Sequence, residues 1–166
     1  GSWIKSTDGK LWSIQLPKGL WIDALFVNGK RQQRARIPKT GFFKASAVGD
    51  SKNEFKFEKG TVAAWNDAAS GVVFVLPWEW FDYQSPIAKI GESDNRITLV
   101  KACGYPLVNG GKGAYSNFHV ENVLAALSSP GEWCLNRETS ILYYMPPAGI
   151  DPRKCEIIGD NLPVIF

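Results

Sequence analysis

The residue types that most often carry catalysis are sparse in this sequence. The single histidine, His119, is the only candidate base for a nucleophilic triad, and no G-x-S-x-G turn accompanies it. Three scattered cysteines, Cys103, Cys134 and Cys155, form no C-x-x-C pair and make no metal-ligand cluster with one histidine. We therefore predict no metal and no cofactor, and a Cys134–Cys155 disulfide stays open. The loop 109–115 lacks the Ser or Thr that a phosphate-binding loop needs after its lysine.

Paired carboxylates are the remaining catalytic possibility, because glycoside hydrolysis uses two of them. Glu79 and Asp82 are three residues apart in a strand-like segment, which points them to opposite faces of a sheet. Glu121 and Glu132 flank a predicted helix, and the sequence does not establish their separation. We expect neither pair to be catalytic.

A basic segment, "KRQQRAR" at residues 30–36, predicts a strand with Arg34 and Arg36 on one face. One interpretation is a solvated edge strand that charge protects from pairing. The other is a contact surface, because arginine suits bidentate pairing with carboxylates of a partner or an acidic sugar. Nucleic acid is not expected, because the net charge is only +3 and no binding motif frames the segment.

Aromatic residues are the clearest excess, with seven Trp, nine Phe and five Tyr. Most are expected in a core, and the remainder could stack on sugar rings. Trp78 and Trp80 share a strand face. In the segment "GEWCLNRETSILYYMPP" (131–147) we expect Trp133 to point inward, with Tyr143 or Tyr144 left to cover a partner or a sugar.

Strand patterns separated by tight turns dominate the chain, and no apolar run approaches a membrane span of about 20 residues. Asn28-Gly29 predicts a two-residue hairpin turn, a second hairpin is predicted at 87–102, and apolar spacing at 118–127 predicts the one short helix. The fold prediction is all-β: an antiparallel β-sandwich or distorted barrel of about nine to ten strands in a single domain, 1–166.

Three stretches together resemble a known family. "LFVNGKRQQRARIP", "WEWFDYQSPIAKIGESDNRITL" and "NFHVENVLAALSSPGEWCLNRETSILYYMPPAG" are similar in order and spacing to the β-domain inserted in right-handed parallel β-helix enzymes of glycoside hydrolase family 141. The resemblance covers about residues 3–160. Cys134 departs from it, because an aromatic residue is usual there.

The resemblance implies a non-catalytic accessory domain of a secreted, periplasmic or cell-surface bacterial enzyme. Its partner would be the parent β-helix in cis, which carries the catalytic carboxylates, and a glycan substrate is possible, whereas no membrane or nucleic acid partner is implied. Residues 1–2 would be a cloning remnant, and about 156–166 would lead back into the β-helix. An autonomous carbohydrate-binding module and a small complete hydrolase are the alternatives.

The contact candidates, for a glycan or for the parent, are the arginines of the basic segment, two tryptophans and two residues of the third stretch: Arg34, Arg36, Trp78, Trp80, Asn122 and Tyr144.

Overall fold

The computed structural model describes residues 2–63, 65, 67–78, 81–108 and 117–160. Fourteen strands follow one another in these residues: β1 Ile4–Lys5, β2 Trp12–Gln15, β3 Ala24–Val27, β4 Lys30–Arg34, β5 Arg36–Ile37, β6 Phe43–Ser46, β7 Glu54–Phe57, β8 Val72–Trp78, β9 Phe81–Gly91, β10 Arg96–Leu99, β11 Asn117–Glu121, β12 Glu132–Asn136, β13 Ile141–Met145 and β14 Ile157–Asp160. The helices described are single 3₁₀ turns at Ala68–Ser70, Leu124–Ala126 and Pro152–Lys154. The all-β prediction is confirmed, with more strands than expected.

Two compact units make up the chain, and the single-domain interpretation stays a prediction. Unit 1 combines the N-terminal part through Ala35 with the C-terminal part from Asn122, and unit 2 is Arg36–Glu121. Unit 1 is a seven-stranded half-barrel sheet in the order β1-β2-β13-β12-β4-β3-β14. Its pairings are antiparallel except for β12 with β4, which run parallel.

Unit 2 is a closed barrel. Six strands follow the order β11-β6-β7-β10-β9-β8, and the pairing of β8 with β11 closes the ring. Closure removes the free strand edges that an open sheet would expose. Alternating residues such as Val73 and Val75 on β8, or Phe118 and Val120 on β11, are fully buried, because successive side chains of a strand point to opposite faces.

Both predicted hairpins with polar turns are confirmed. Asn28 and Gly29 join β3 to β4 with φ of 49° and 73°, the two positive values that a type I′ turn requires. The other hairpin joins β9 to β10 across residues 92–95, where Asn95 has φ of 49°. Asparagine and glycine tolerate this left-handed backbone better than other residues do.

The predicted helix at 118–127 is wrong. Its first residues form β11, which pairs with β8, β5 and β6, and only Leu124–Ala126 makes a 3₁₀ turn. Phe118 and Val120 alternate with His119 and Glu121, so the same residues also fit a strand pattern. Pairing with neighbouring strands outweighs their helical spacing. Asn122 has φ of 63°, a value that a right-handed helix cannot contain.

The predicted single strand at 30–36 is also wrong. Strand β4 ends at Arg34, β5 begins at Arg36, and the fully buried Ala35 belongs to neither. The backbone N–H of Ala35 donates to Trp133 O at 2.7 Å. Arg34 therefore lies in unit 1 and Arg36 in unit 2.

The core of unit 1 lies on one face of the half-barrel. Trp133 stands opposite Tyr144, and Leu135 opposite Leu142, in the β12–β13 hairpin. All four are buried in one cluster with Leu25 and neighbouring apolar residues of β3. The predicted inward orientation of Trp133 is confirmed, because its side chain is only 1% exposed.

Candidate functional site

A cleft of about 660 Å³ opens in unit 1, within the 300–1,000 Å³ typical of ligand sites. It is built from both ends of the chain. The N-terminal part supplies the first two strands and the turn between them. The C-terminal part supplies residues just before β12, the end of β13 and the segment after it. The charged and aromatic residues of the lining are Lys5, Lys10, Trp12, Asp151 and Arg153.

Trp12 forms the base of two cation contacts in this cleft. Lys5 and Trp12 are direct partners in the β1–β2 pair, so their side chains lie on the same face. The Lys5 ammonium lies 5.6 Å from the Trp12 ring centroid, and the Arg153 guanidinium carbon lies 5.0 Å from it. Both distances are within the range of cation–π attraction. The indole is only 5% exposed, so it holds the two cations and presents little stacking surface of its own.

Asp151 fixes the position of Arg153. It caps the 3₁₀ turn by accepting from the Arg153 backbone N–H at 3.0 Å, and it also accepts from Nε at 3.0 Å and Nη2 at 2.7 Å. Hydrogen bonding from Arg153 lowers the pKa of Asp151 to about 2, and the same contact raises the pKa of Arg153. The pair is therefore charged on both sides at any physiological pH.

Lys10 lies on a short turn that hydrogen bonds keep in place. Asp8 accepts from the Lys10 backbone N–H at 3.1 Å and from the Ser6 hydroxyl, and Ser6 Oγ accepts from the Leu11 N–H at 3.0 Å. The Ser6 hydrogen bond is the main cause of a lowered pKa at Asp8. Gly9, with φ of 73°, closes the turn, and Lys5 passes 3.6 Å from the place that a Cβ would occupy.

A second cluster, the arginine–tryptophan cluster, consists of Trp21, Asp23, Arg34, Trp133 and Arg137, all in unit 1. Arg34 Nη2 donates to the Asp23 carbonyl at 2.7 Å, and its guanidinium carbon lies 5.3 Å from the Trp21 centroid and 5.2 Å from that of Trp133. The Arg137 guanidinium lies 3.7 Å from the Trp21 centroid. Burial, followed by the positive charge of Arg34, lowers the pKa of Arg137.

Three of the six predicted contact residues have fold roles in unit 1. The Arg34 side chain is 12% exposed and holds the 21–23 segment against the sheet. Tyr144 is fully buried, and its hydroxyl donates to Gln32 Oε1 at 2.9 Å. Asn122 is fully buried and bonds both backbone groups of Leu135. None of these three presents a broad surface to a ligand in this conformation.

The other three predicted contact residues belong to unit 2. Arg36 Nη2 donates to Gly41 O at 2.6 Å, and its guanidinium lies 5.6 Å from the ring centroid of Phe42, which is 45% exposed. Trp78 ends β8, and its side chain lies outside the described residues, as do Glu79 and Trp80. The loop 109–115 lies outside them as well.

The described acidic candidates also have fold roles. Glu132 is buried and accepts from the Ser128 and Ser129 backbone N–H groups at 3.0 and 2.9 Å. Glu121 lies 3.1 Å from His119 Nε2, and Asp82 accepts from Gln84 at 3.3 Å. His119 is on a strand of the barrel, where it stacks on Phe74 at 4.7 Å between ring centroids.

Neither a metal cluster nor a disulfide is found in the described part of the chain. No group of three or more potential metal ligands occurs there. The three cysteines are free thiols, so the open Cys134–Cys155 bridge is not formed, and Cys155 Sγ instead donates to Asp151 O at 3.2 Å. None of the helices in these residues is long and apolar enough to cross a membrane.

The fold is similar to part of a solved structure named "Glycoside hydrolase". The match has a TM-score of 0.67 at 21% sequence identity and covers 95% of this chain and 30% of the other. Such a likeness shows a shared fold, and this chain spans about a third of the length of the protein it matches. No protein-family model and no curated protein matches the sequence.

Residues of the cleft were mostly missed by the sequence analysis. Lys5, Lys10, Trp12, Asp151 and Arg153 belong to no recognisable motif. The available signals were a tryptophan two residues after a lysine and an Asp-Pro-Arg run, whose Asp-Pro pair is typical of a helix start. Neither signal points to a ligand until the fold brings the two segments together.

Proposed function

We propose that this chain is a non-catalytic accessory domain of a larger carbohydrate-active enzyme, where it borders the glycan that the enzyme acts on. The main support is the fold match, which covers nearly all of this chain but only 30% of a protein named "Glycoside hydrolase". A shared fold does not by itself assign an activity, so the proposed role also rests on the residues of the domain.

The carboxylates of unit 1 support a non-catalytic role. A glycosidase needs one carboxyl group that can donate a proton and a second that acts as base or nucleophile. Glu132 accepts two backbone N–H bonds in a buried position, and Asp151 pairs with Arg153 at 2.7 Å. Both carboxylates are therefore engaged by contacts within the fold. The hydrogen bonds from Arg153 also lower the pKa of Asp151 to about 2, so Asp151 holds no proton near neutral pH.

The finer features of the proposal rest on sequence motifs. We propose that the parent is a secreted, parallel β-helix enzyme of glycoside hydrolase family 141 type, and that this chain packs on that β-helix in cis and shapes its glycan cleft. The motifs at 25–38 and 117–149 support this origin. The family implies glycans containing fucose or xylose.

A second candidate function is an autonomous carbohydrate-binding module. The cleft of unit 1 favours it, because a volume of about 660 Å³ with fixed cations is complete within this chain. The two functions differ in the affinity of the isolated chain. If the chain forms only one wall of a larger cleft, it should bind glycan at millimolar affinity when isolated. If it is an autonomous module, it should bind at micromolar affinity or tighter.

The test is turnover by the isolated 166-residue chain on fucosylated and xylan-type oligosaccharides, followed by chromatography of the products. We expect no product at enzyme concentrations that exhaust the substrate with the full-length parent. Product release that Glu121→Gln or Glu132→Gln abolishes in a folded variant would overturn the non-catalytic role. Calorimetric titration of the chain with the same sugars then measures the affinity that distinguishes an accessory domain from an autonomous binding module.

A further inference from the structure

We propose that the cleft of unit 1 takes an acidic sugar, one whose ring carries a carboxylate or a sulfate. This inference rests on the proposed glycan-contact role and adds the substrate class. The shared chemistry is an anionic group attached to a sugar ring, held by Lys5, Lys10 and Arg153.

The balance of charge in the cleft favours an anion. The lining contains three cationic side chains and one carboxylate, which is a net charge of +2. The carboxylate, Asp151, is engaged by Arg153 through two side-chain bonds and one backbone bond, so it offsets that cation only. In the part of the chain that the structure describes, Lys5 and Lys10 form no ion pair. Lys5 and Lys10 are both exposed, so two ammonium groups of the lining remain to meet an anion.

The aromatic residue of the cleft supports an acidic sugar over a neutral one. Neutral glycans are commonly held by stacking on an exposed aromatic face, but Trp12 is only 5% exposed, and Lys5 and Arg153 lie over its ring. The indole thereby orients the two cations before any ligand arrives. Preorganised cations lose less conformational freedom when they bind an anion, so the site favours charge recognition.

The remaining walls fit a sugar ring better than a bare inorganic anion. Pro130, Pro146 and Pro147 supply rigid apolar surface that suits the C–H face of a pyranose, and Ser128 adds a hydroxyl. Gly149, with φ of 82°, turns the chain back toward Asp151. The cleft is also far larger than a single sulfate or carboxylate needs.

The experiment compares matched probes on the intact 166-residue chain by two-dimensional NMR titration. The carboxylate arm is an oligogalacturonide and its full methyl ester, which have the same rings and linkages but differ in charge. The sulfate arm is a sulfated oligosaccharide and its desulfated form. We expect saturable shifts in the residues lining the cleft for at least one acidic probe, at least tenfold weaker binding of its neutral partner, and weaker binding with added salt.

The variant Lys5→Gln/Lys10→Gln should weaken binding of the acidic probe by about five- to twentyfold, as two exposed charge contacts imply. Its control is Lys18→Gln/Lys30→Gln, which removes the same charge from exposed sites of unit 1 outside the cleft and should change binding less than twofold. Circular dichroism confirms that both variants fold.

Each outcome decides the inference. Equal binding of charged and neutral probes, equal losses in the two double variants, or no binding of any acidic probe overturns it. The arm that binds identifies carboxylate or sulfate. Product release in the turnover assay would overturn the non-catalytic function while leaving acidic-sugar binding in place, so the two proposals fail separately.

Discussion

Replacing Asn122 should weaken the attachment of β12, because the Asn122 side chain bonds both backbone groups of Leu135. Asn122 Oδ1 accepts from the Leu135 N–H at 2.8 Å, and Nδ2 donates to Leu135 O at 2.9 Å. The parallel pairing of β4 with β12 stops at Trp133, so the amide takes the place of the next backbone partner along that edge. The residue is fully buried and has φ of 63°.

The magnitude follows from two buried groups losing their partners. An unsatisfied buried N–H or C=O costs about 1–3 kcal/mol, so Asn122→Gly should lose about 2–6 kcal/mol of unfolding free energy. Asn122→Ala should lose about 1–2 kcal/mol more, because a Cβ disfavours the left-handed conformation. Either loss is a large part of the 5–15 kcal/mol typical of a domain.

Asn122→Asp provides the sharpest comparison. The aspartate keeps the shape of the side chain and the oxygen that accepts from Leu135 N–H, but it replaces the donating amide with a carboxylate oxygen that faces Leu135 O. Burial beside a carbonyl should raise the pKa of that new carboxyl group in the folded state. The protonated acid donates as the amide does, so the variant should gain stability relative to wild type as pH falls and lose it as pH rises.

The assay is urea unfolding of the 166-residue chain, with hydrogen exchange of the Leu135 amide as the local measurement. We expect strong protection of that amide in the wild type and rapid exchange in Asn122→Gly. A loss below about 1 kcal/mol in Asn122→Ala, with Leu135 still protected, would refute the fastening role.

Three further predictions concern unit 1. Trp133→Ala should cost about 3–5 kcal/mol in urea unfolding, because it empties a fully buried site, and an unchanged melting temperature would place the indole at the surface. Burial raises the pKa of Tyr144 from 10.0 to about 12, so wild type should lose stability as pH rises from 10 through 12. Tyr144→Phe should remove that loss, whereas Tyr105→Phe, at a ring that is 61% exposed, should not, and equal alkaline profiles would count against the assignment. Arg34→Ala should destabilise the isolated chain by about 1–3 kcal/mol, because it removes a charged hydrogen bond to Asp23 O, and a normal melt would favour the contact-surface interpretation instead.

The features that the sequence predicts correctly are local ones. Asn28-Gly29 specifies its hairpin because those two residues tolerate positive φ, and the β12–β13 hairpin has alternation that places Trp133 and Leu135 on one face. The parallel pairing of β4 with β12 joins residues about a hundred positions apart, and neither segment contains a pattern that predicts this pairing. The barrel closure of β11 on β8 is also non-local, and the apolar spacing of 118–127 taken alone fits a helix.

Arg34 shows why the site was harder to predict than the fold. Strand alternation correctly groups Arg34 with Gln32, and arginine is rarely buried, so the sequence predicts that their shared face is a surface. In the structure that face is the core side, because Gln32 accepts from Tyr144 and Arg34 lies over Trp133. Backbone carbonyls and aromatic rings satisfy the guanidinium there, and such partners are visible only after folding.

The way the chain leaves and re-enters unit 1 explains how this sheet tolerates a long interruption. Asn122 N–H donates to Ala35 O at 2.9 Å, and Ala35 N–H donates to Trp133 O at 2.7 Å, so the two junction residues are bonded to each other and to β12. The entropy of closing a loop grows only slowly with its length, so the whole of Arg36–Glu121 costs little more than a shorter loop would. What the junction requires is a fixed pair of ends, and the Asn122 side chain adds two further bonds to the same strand. Asn122 therefore belongs to the residues that allow the segment Arg36–Glu121 to interrupt the sequence of unit 1, which accounts for its burial better than contact with a glycan does.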